Sequence, residues 1–429
     1  MKDDPQRPVN RGRYKRMENT VKCRCALLLL CVLILPLAFC CHSPATGGQV
    51  DSLVQDNSAF AFDLYRRLAE TEGNLFFSPY SISSALAMTC AGARGNTEKE
   101  MAATLRFSLT PDALHPAFEA LGARLQKARK SGDIRLSVAN SLWPQKGCPF
   151  LDDYLSLAKK YYGVSIAAVD YKQAAEEART QINEWVSNKT QDRITDLIPS
   201  GILDALTRLV LVNAIYFKGT WQNPFKAADT RDAAFYVTAE RAVQVPMMAQ
   251  KVTCRYANQP SFDLLELPYV GHGMAMIVLL PKETEGIRSL ERELTVENFA
   301  RWQNSLAEQD VIVSLPRFKM TSLFRLDKTL AFMGMNDAFS EAQADFSGMD
   351  GQPHGLYIGA VLHKAFVDVT EEGTEAAAAT AVVMSKCTAR PIQLPVFRAD
   401  HPFLFLIQEK QTGSILFVGR LMDPTKTAE

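Results

Sequence analysis

The sequence predicts a single α+β domain with a large buried sheet, its helices concentrated in the first half of the chain and its strands in the second. Three observations predict it. Apolar residues recur at helical spacing through the first half, while continuous or alternating apolar runs dominate the second. No linker, repeat or low-complexity block interrupts the chain after Ser52. Helix and strand do not alternate as a parallel α/β sheet would require. The 429 residues would allow two or three domains, but mixed folds of this size also run as one unit. Apolar residues at 47%, charged residues at 22% and 47 basic against 47 acidic groups exclude a disordered chain, a collagen-like one, a polytopic membrane protein and a strongly basic nucleic-acid binder.

The zero net charge hides an asymmetry. Residues 1–24 carry eight basic and three acidic groups, a net +5 that the rest of the chain cancels. The apolar run CALLLLCVLILPLAFCC follows; at 17 residues it lies at the short limit for a membrane-spanning helix, and Pro36 interrupts it. A basic flank, an apolar run and then small polar residues from Ser43 to Gly48 read as an export signal. Residues 1–50 are therefore expected to be a targeting segment and residues 51–425 the folded domain, with Met17 as an alternative start. The expected localisation is secreted. The alternatives are an uncleaved anchor that tethers the protein to a membrane through residues 25–41, and a lipid on Cys40 or Cys41, for which Phe39 is too bulky a neighbour. Five of the nine cysteines lie before residue 42. The other four, Cys90, Cys148, Cys254 and Cys387, are too widely spaced for a disulfide scaffold or a metal cluster, so no metal or cofactor is expected.

After the leader, Phe60, Leu64 and Leu68 mark an amphipathic helix, and the small residues of SISSALAMTCAGA a buried one. Thr97 with Glu100 reads as a capping box ahead of Met101 and Leu105. Further helices are expected near 112–128, 151–161 and 174–189. Ile134, Leu136 and Val138 alternate as in a strand. LVLVNAIYF (209–217) is continuously apolar, as a strand covered on both faces would be. MAMIVLLP (274–281) and VIVSLP (311–316) are further strands with a helix between them, and HPFLFLIQEKQTGSILFVGRL reads as two strands joined by a turn ending at Gly413.

The most unusual segment runs from Glu371 to Cys387. Taken alone, its alanine run favours a helix. Its flanks do not: HKAFVDVT before it alternates like a strand, Gly373 is a hinge-capable break, and KCTARPIQLP after it reads as an exposed loop. The same segment is compatible with a strand. Ala376, Ala378, Thr380, Val382 and Met384 form one uncharged face, and Glu375, Ala377, Ala379, Ala381, Val383 and Ser385 form the other, so the only charge lies on the face that could meet solvent.

Ordered motifs then identify the family. NLFFSPYSISSALAM (74–88), GARGNTEKEM (92–101), VANSLW (138–143), INEWVSNKT (182–190), LVNAIYFKGTWQNPF (211–225), LPRFKM (315–320), MGMNDAFS (333–340), ADFSGM (344–349), FRADHPFLFLI (397–407) and GSILFVGRLMDP (413–424) stand in the order found in serpins, and from about Asp56 to Pro424 the chain resembles an inhibitory member of that family. The resemblance implies a single serpin domain with three β-sheets, a large central sheet among them, eight or nine helices and an exposed reactive loop at about 371–396. It implies a monomer that acts as a suicide substrate: a protease cleaves the loop, becomes acylated, and is carried away as the loop inserts into the central sheet. Fourteen inserted residues would span roughly 46 Å. The hinge maps onto Glu372, Gly373, Thr374, Glu375, Ala376, Ala377, Ala378 and Ala379 and shows no departure from the inhibitory pattern. Ser78, Ser81, Asn213 and His363 match a polar cluster beneath the point where the sheet opens, and Trp221 matches an aromatic residue at its top. Counting from Gly373 makes Cys387–Thr388 the expected scissile bond, with Lys386 or Arg390 as alternatives on its amino side.

Cysteine at the bait position suits a chymotrypsin- or elastase-like target; Lys386 would suit a trypsin-like one, and a papain-like cysteine protease remains an alternative. No nucleic acid is expected as a partner, and no membrane except through the N-terminal segment. The chain shows no Gly-x-Ser-x-Gly, phosphate-binding Gly-Lys-Ser/Thr or His-Glu-x-x-His pattern, so an enzyme is not expected. The rival reading is a non-inhibitory carrier or chaperone on the same fold. Asn188 heads the only Asn-x-Ser/Thr sequon.

Overall fold

A computed structural model describes residues 45–131, 134–374 and 394–426. The helices are α1 (Gly47–Leu68), α2 (Pro79–Cys90), α3 (Gly95–Thr104), α4 (Pro111–Ser131), α5 (Asp152–Tyr162), α6 (Tyr171–Lys189), α7 (Ile287–Glu293), α8 (Val296–Asn304), α9 (Asp327–Phe332) and α10 (Ser347–Asp350). The strands are β1 (Leu75–Phe77), β2 (Arg135–Pro144), β3 (Ser165–Ile166), β4 (Leu209–Thr220), β5 (Arg231–Tyr236), β6 (Ala242–Asn258), β7 (Phe262–Pro268), β8 (Met274–Pro281), β9 (Ala307–Pro316), β10 (Phe318–Arg325), β11 (Ala360–Val369), β12 (Gly373–Thr374), β13 (Val396–Arg398), β14 (Phe403–Glu409) and β15 (Ile415–Leu421).

The chain is α+β, as expected, with helices preceding most strands. Among the described residues hydrogen bonding joins the strands into two sheets where three were expected. The reason is the 17-residue β6, which pairs with β5 and β9 along one part and with β7 along another, fusing two sheets into one of nine strands. The second sheet has six strands in the order β10-β11-β12-β4-β2-β3, and β11 also pairs directly with β4. The ten α-helices among the described residues exceed the expected eight or nine through single-turn elements such as α10.

In the six-stranded sheet β4 is buried on both faces because it is apolar at nearly every position. On one face Leu209, Leu211, Ile215 and Phe217 of β4 enter the main core. On the other, Val210, Val212, Ala214 and Tyr216 lie under Ala178, Ile182 and Val186 of α6. Helix α6 thus covers part of this face of the sheet.

Local readings fared unevenly. The turn before β15 is made at Gly413, whose φ of +78° suits glycine. The capping box at Thr97 does not form. The helix begins two residues earlier at Gly95, the Thr97 hydroxyl accepts from the Asp345 amide, and the Glu100 carboxylate accepts from the amides of Asn336 and Asp337. Tertiary partners outcompeted the local cap. Val138, expected on the buried face with Ile134 and Leu136, is 37% exposed. At the amino end, α1 begins at Gly47 with Thr46 and Gln49 forming a reciprocal cap, so the fold starts a few residues ahead of the boundary expected at 51. No helix among the described residues is long and apolar enough to cross a membrane; the apolar run of residues 25–41 lies outside them.

Candidate functional site

The site is the seam between β11 and β4 in the six-stranded sheet. These strands are parallel and in register from Ala360–Val210 to Phe366–Tyr216. Beyond Phe366 they diverge, and β12 occupies the gap: Thr374 pairs antiparallel with Val369 on one side and with Gly219 on the other. The first hinge residues are therefore seated at the head of the seam, while the rest of it is closed.

Local sequence explains how the chain gets there. Thr370 to Gly373 make a tight turn in which the Thr370 amide donates to the Gly373 carbonyl at 2.8 Å. Gly373 runs against β4 so closely that a Cβ would meet the Gly219 oxygen at 2.1 Å, which only glycine permits. Trp221 holds the turn from above. Its backbone amide donates to the Glu372 carbonyl at 2.9 Å, and its indole N–H donates to the Thr370 carbonyl at 3.0 Å. The resemblance put Trp221 at the top of the opening; in the structure it lies over the turn that leads into β12.

Two further residues at this end escaped the sequence reading. Tyr269 stacks on Trp221 with centroids 4.7 Å apart, and its hydroxyl lies 2.8 Å from the hydroxyl of fully buried Thr374. Burial holds the Tyr269 phenol well above its ordinary pKa, so it stays neutral. Glu371 accepts a 2.8 Å hydrogen bond from the Thr230 hydroxyl and meets Arg317 at 3.6 Å. Tyr269 and Glu371 carry no recognisable spacing relative to the hinge; only the fold brings them to it.

Lower down, the seam is latched by a buried polar network. The Ser78 amide donates to His363 Nε2 at 3.0 Å, which leaves the imidazole proton on Nδ1, donating to Asn213 Oδ1. His363 and Asn213 are register partners across β11 and β4, so the bond closes the seam at its centre. The Asn213 amide donates in turn to the Ser81 hydroxyl and to Asn140 Oδ1. Ser78 is the N-cap of α2, its hydroxyl accepting from the Ser81 amide at 3.2 Å and donating to the Leu416 carbonyl at 2.6 Å. Complete burial pulls the His363 pKa down to about 3, so the ring is neutral. The four residues expected to cluster do so. Asn140, not foreseen, joins them because β2 places it opposite Asn213; the lone amide in the strand motif VANSLW was the available signal.

Cys387, Thr388, Lys386 and Arg390 of the bait, and Glu375, Ala376, Ala377, Ala378 and Ala379 of the hinge, lie outside the described residues. Cys90, Cys148 and Cys254 are free thiols, Cys90 and Cys254 buried.

A closed parallel seam with the start of a strand already seated at its head defines a protein whose sheet can accept one more strand from its own chain. Comparison with known proteins agrees. The family model "Serpin (serine protease inhibitor)" matches residues 55–424. The chain is 43% identical to leukocyte elastase inhibitor of Xenopus tropicalis over 85% of this chain and 97% of the relative. It is 41% identical to human leukocyte elastase inhibitor over 87% of this chain and all of the relative. Among solved structures, human thyroxine-binding globulin superposes with a TM-score of 0.80 at 33% identity, covering 88% of this chain and all of that one. The chain belongs to the serpin family. It is a serine protease inhibitor and not an enzyme.

Proposed function

We propose that the protein traps an elastase- or chymotrypsin-like serine protease by inserting its cleaved loop along the β11–β4 seam, with Cys387–Thr388 as the bait bond. The observation that carries the reading is β12, antiparallel to both of its neighbours. If the strand continues in that register, Ala376 and Ala378 fall beside Phe217 and Ile215 of β4, and Thr380 falls between Asn213 and His363. The inward face then has small residues against the core and a hydroxyl where the latch must be broken, so His363 exchanges one polar partner for another. Glu375 falls beside Lys218 and Asp368 at the half-buried rim, where a charge is tolerable. One parallel ladder is replaced by two antiparallel ones, which are slightly stronger per residue. A dozen new ladder bonds contribute on the order of 10 kcal/mol before packing is counted.

In the bait step the protease serine attacks the Cys387 carbonyl, the Thr388 amine leaves, and the acyl-enzyme is displaced before water can resolve it. The small apolar thiol side chain and two relatives named leukocyte elastase inhibitor favour an elastase-like pocket. The test is incubation with leukocyte elastase, chymotrypsin, trypsin and papain, followed by denaturing electrophoresis and mass measurement of the released carboxy-terminal peptide. A denaturant-stable complex with the first two and a peptide beginning at Thr388 are expected. A peptide beginning at Pro391 would sink the bond assignment, and cleavage by every protease with no complex would favour the carrier reading.

We also propose that the N-terminal segment directs export. The support is its sequence pattern, a basic flank followed by an apolar run and small polar residues. Asn188 provides a reporter: the Thr190 hydroxyl of its sequon is buried and donates to the Val186 carbonyl at 2.8 Å, so a glycan must be added before folding. A glycan at Asn188 and a new amino terminus near Ser43 on protein recovered from the medium are expected; an unmodified, cell-retained chain overturns the reading.

A further inference from the structure

The carboxy-terminal half of α1, helix α3 and the end of α9 line a cleft of about 640 Å³, within the range of small-molecule sites. None of the residues lining it belongs to β4, β11 or β12, so loop insertion gives it no role.

Its charge is unbalanced. Asp63 is shared by two guanidiniums, Arg66 at 3.0 Å on one carboxylate oxygen and Arg106 at 2.7 Å on the other, so the trio is net positive. Arg67 is offset by Glu70 at 3.2 Å. Lys99, on the α3 wall, has no ion-pair partner among the described residues. The neighbouring Glu100 carboxylate is taken up elsewhere, accepting from the amides of Asn336 and Asp337 at 2.8 Å each and from the Asn96 side chain at 3.0 Å. Arg106 sits at a φ of +62°, a left-handed conformation unfavourable for a residue with a side chain. The same bonds fix the walls: Arg106 ties the end of α3 to α1, and Glu100 fastens α3 to the turn after α9.

The rim is aromatic. Phe332 is 71% exposed, more than any other large apolar side chain among the described residues. The Arg67 guanidinium lies 4.4 Å from its ring centroid, and the rest of the ring is open to a flat ligand.

We propose that this cleft binds a small aromatic phosphate monoester, its dianionic head at Arg66, Arg106 and Lys99 and its ring against Phe332. Several cationic donors suit a phosphate better than a carboxylate, because each of its oxygens takes its own charge-assisted bond. The ring adds apolar burial and stacking on a side chain that water otherwise covers. Neither half is strong alone, so affinity requires both in one molecule.

The full chain is titrated by calorimetry with phenyl phosphate, inorganic phosphate, phenylacetate and phenol. Phenyl phosphate is expected to bind saturably, about tenfold more tightly than inorganic phosphate or phenylacetate, and phenol not to saturate. Arg106→Asn removes the charge with a residue that tolerates positive φ, and is expected to weaken phenyl phosphate about tenfold. Phe332→Ala is expected to reduce phenyl phosphate to the affinity of inorganic phosphate. Ala103→Phe, at an exposed position of α3 on the cleft wall, fills the space and is expected to abolish binding. Thermal unfolding of each variant is expected to stay cooperative, so that lost binding reports the site and not the fold. Absence of saturable binding, or binding that Arg106→Asn and Ala103→Phe both leave unchanged, would overturn the site. Equal affinity for phenyl and inorganic phosphate would overturn the role of Phe332, and equal affinity for phenylacetate would overturn the phosphate.

Discussion

The two sheets of this molecule are built to opposite ends. The nine-stranded sheet is held by long antiparallel ladders and stacked rings: β6 and β9 share ten register pairs, and Phe76 stacks on Phe405 and Phe417 at 5.7 and 5.1 Å. Polar register pairs cross its seams too, as Arg255 and Glu266 do between β6 and β7, but there the arginine is open to solvent, whereas His363 and Asn213 are both buried. In the six-stranded sheet β11 and β4 meet along seven parallel register pairs, and the bond at their middle is polar. Apolar contacts are non-directional and survive small shifts, whereas a buried hydrogen bond is lost abruptly when its partners separate. The first sheet is a frame. The second is a joint whose resistance is concentrated in a few named groups, and whose release is compensated by a strand that the same chain supplies.

That contrast can be broken most forcefully at the head of the seam. Thr374→Arg places a charge where the native side chain is fully buried, at a cost of several kcal/mol whenever the strand seats. Complex formation should disappear while cleavage by the target protease continues, as denaturing electrophoresis would show. A retained stable complex would rule out insertion along this seam.

A smaller effect is expected in the middle. Asn213→Ala leaves the His363 Nδ1–H and Asn140 without their partner inside the sheet, which should cost about 2–3 kcal/mol and lower the unfolding midpoint. The equivalent truncation in the frame, Phe76→Ala, should lower stability without changing the number of inhibitor molecules consumed per protease. If both variants change that number equally, the distinction between frame and joint is wrong.

Acid sharpens the comparison. His363 has its pKa pulled down to about 3 and His115 to about 4, each from 6.5 mainly by burial. Between those values and 6.5 the unfolded chain binds protons that the native fold excludes, so the contribution is complete above pH 6.5 and is lost as pH falls. Each histidine should cost roughly 1.4 kcal/mol per pH unit through that window. Denaturant titrations between pH 7 and 5 should show the slope, and His363→Gln should remove about half of it.

The smallest effect belongs to the cleaved form. Thr380→Val deletes the hydroxyl that the β12 register carries to His363 and Asn213, and should reduce the stabilisation gained on cleavage by about 1 kcal/mol. Calorimetry of intact and cleaved protein would measure it; an unchanged gain would mean that the strand seats in another register.

Much of this was legible from residue order. Helical spacing located α1, α4, α5 and α6, the continuous apolar run located β4, and Ser78, Ser81, Asn213, His363 and Trp221 could be named as site residues from their motifs. Asn140, Tyr269 and Glu371 could not. Asn213 and His363 lie 150 positions apart, and Tyr269 meets Thr374 from 105 positions away; such partners share no local pattern. The failed capping box at Thr97 shows the same thing from the other side, since both of its residues found better partners in the segment near Asp345 and Asn336.

By itself the sequence determined periodicity and composition: which segments are helical, which strands are covered on both faces, and that the residues after Gly373 have one face with no charge. These are properties of neighbours a few positions apart, where side-chain spacing and backbone geometry are enough. The tertiary structure alone decided register. Hydrogen bonds between strands distant in the chain are chosen by packing the whole sheet at once. That choice set Asn140 opposite Asn213, closed the seam through His363, and seated Thr374 at its head.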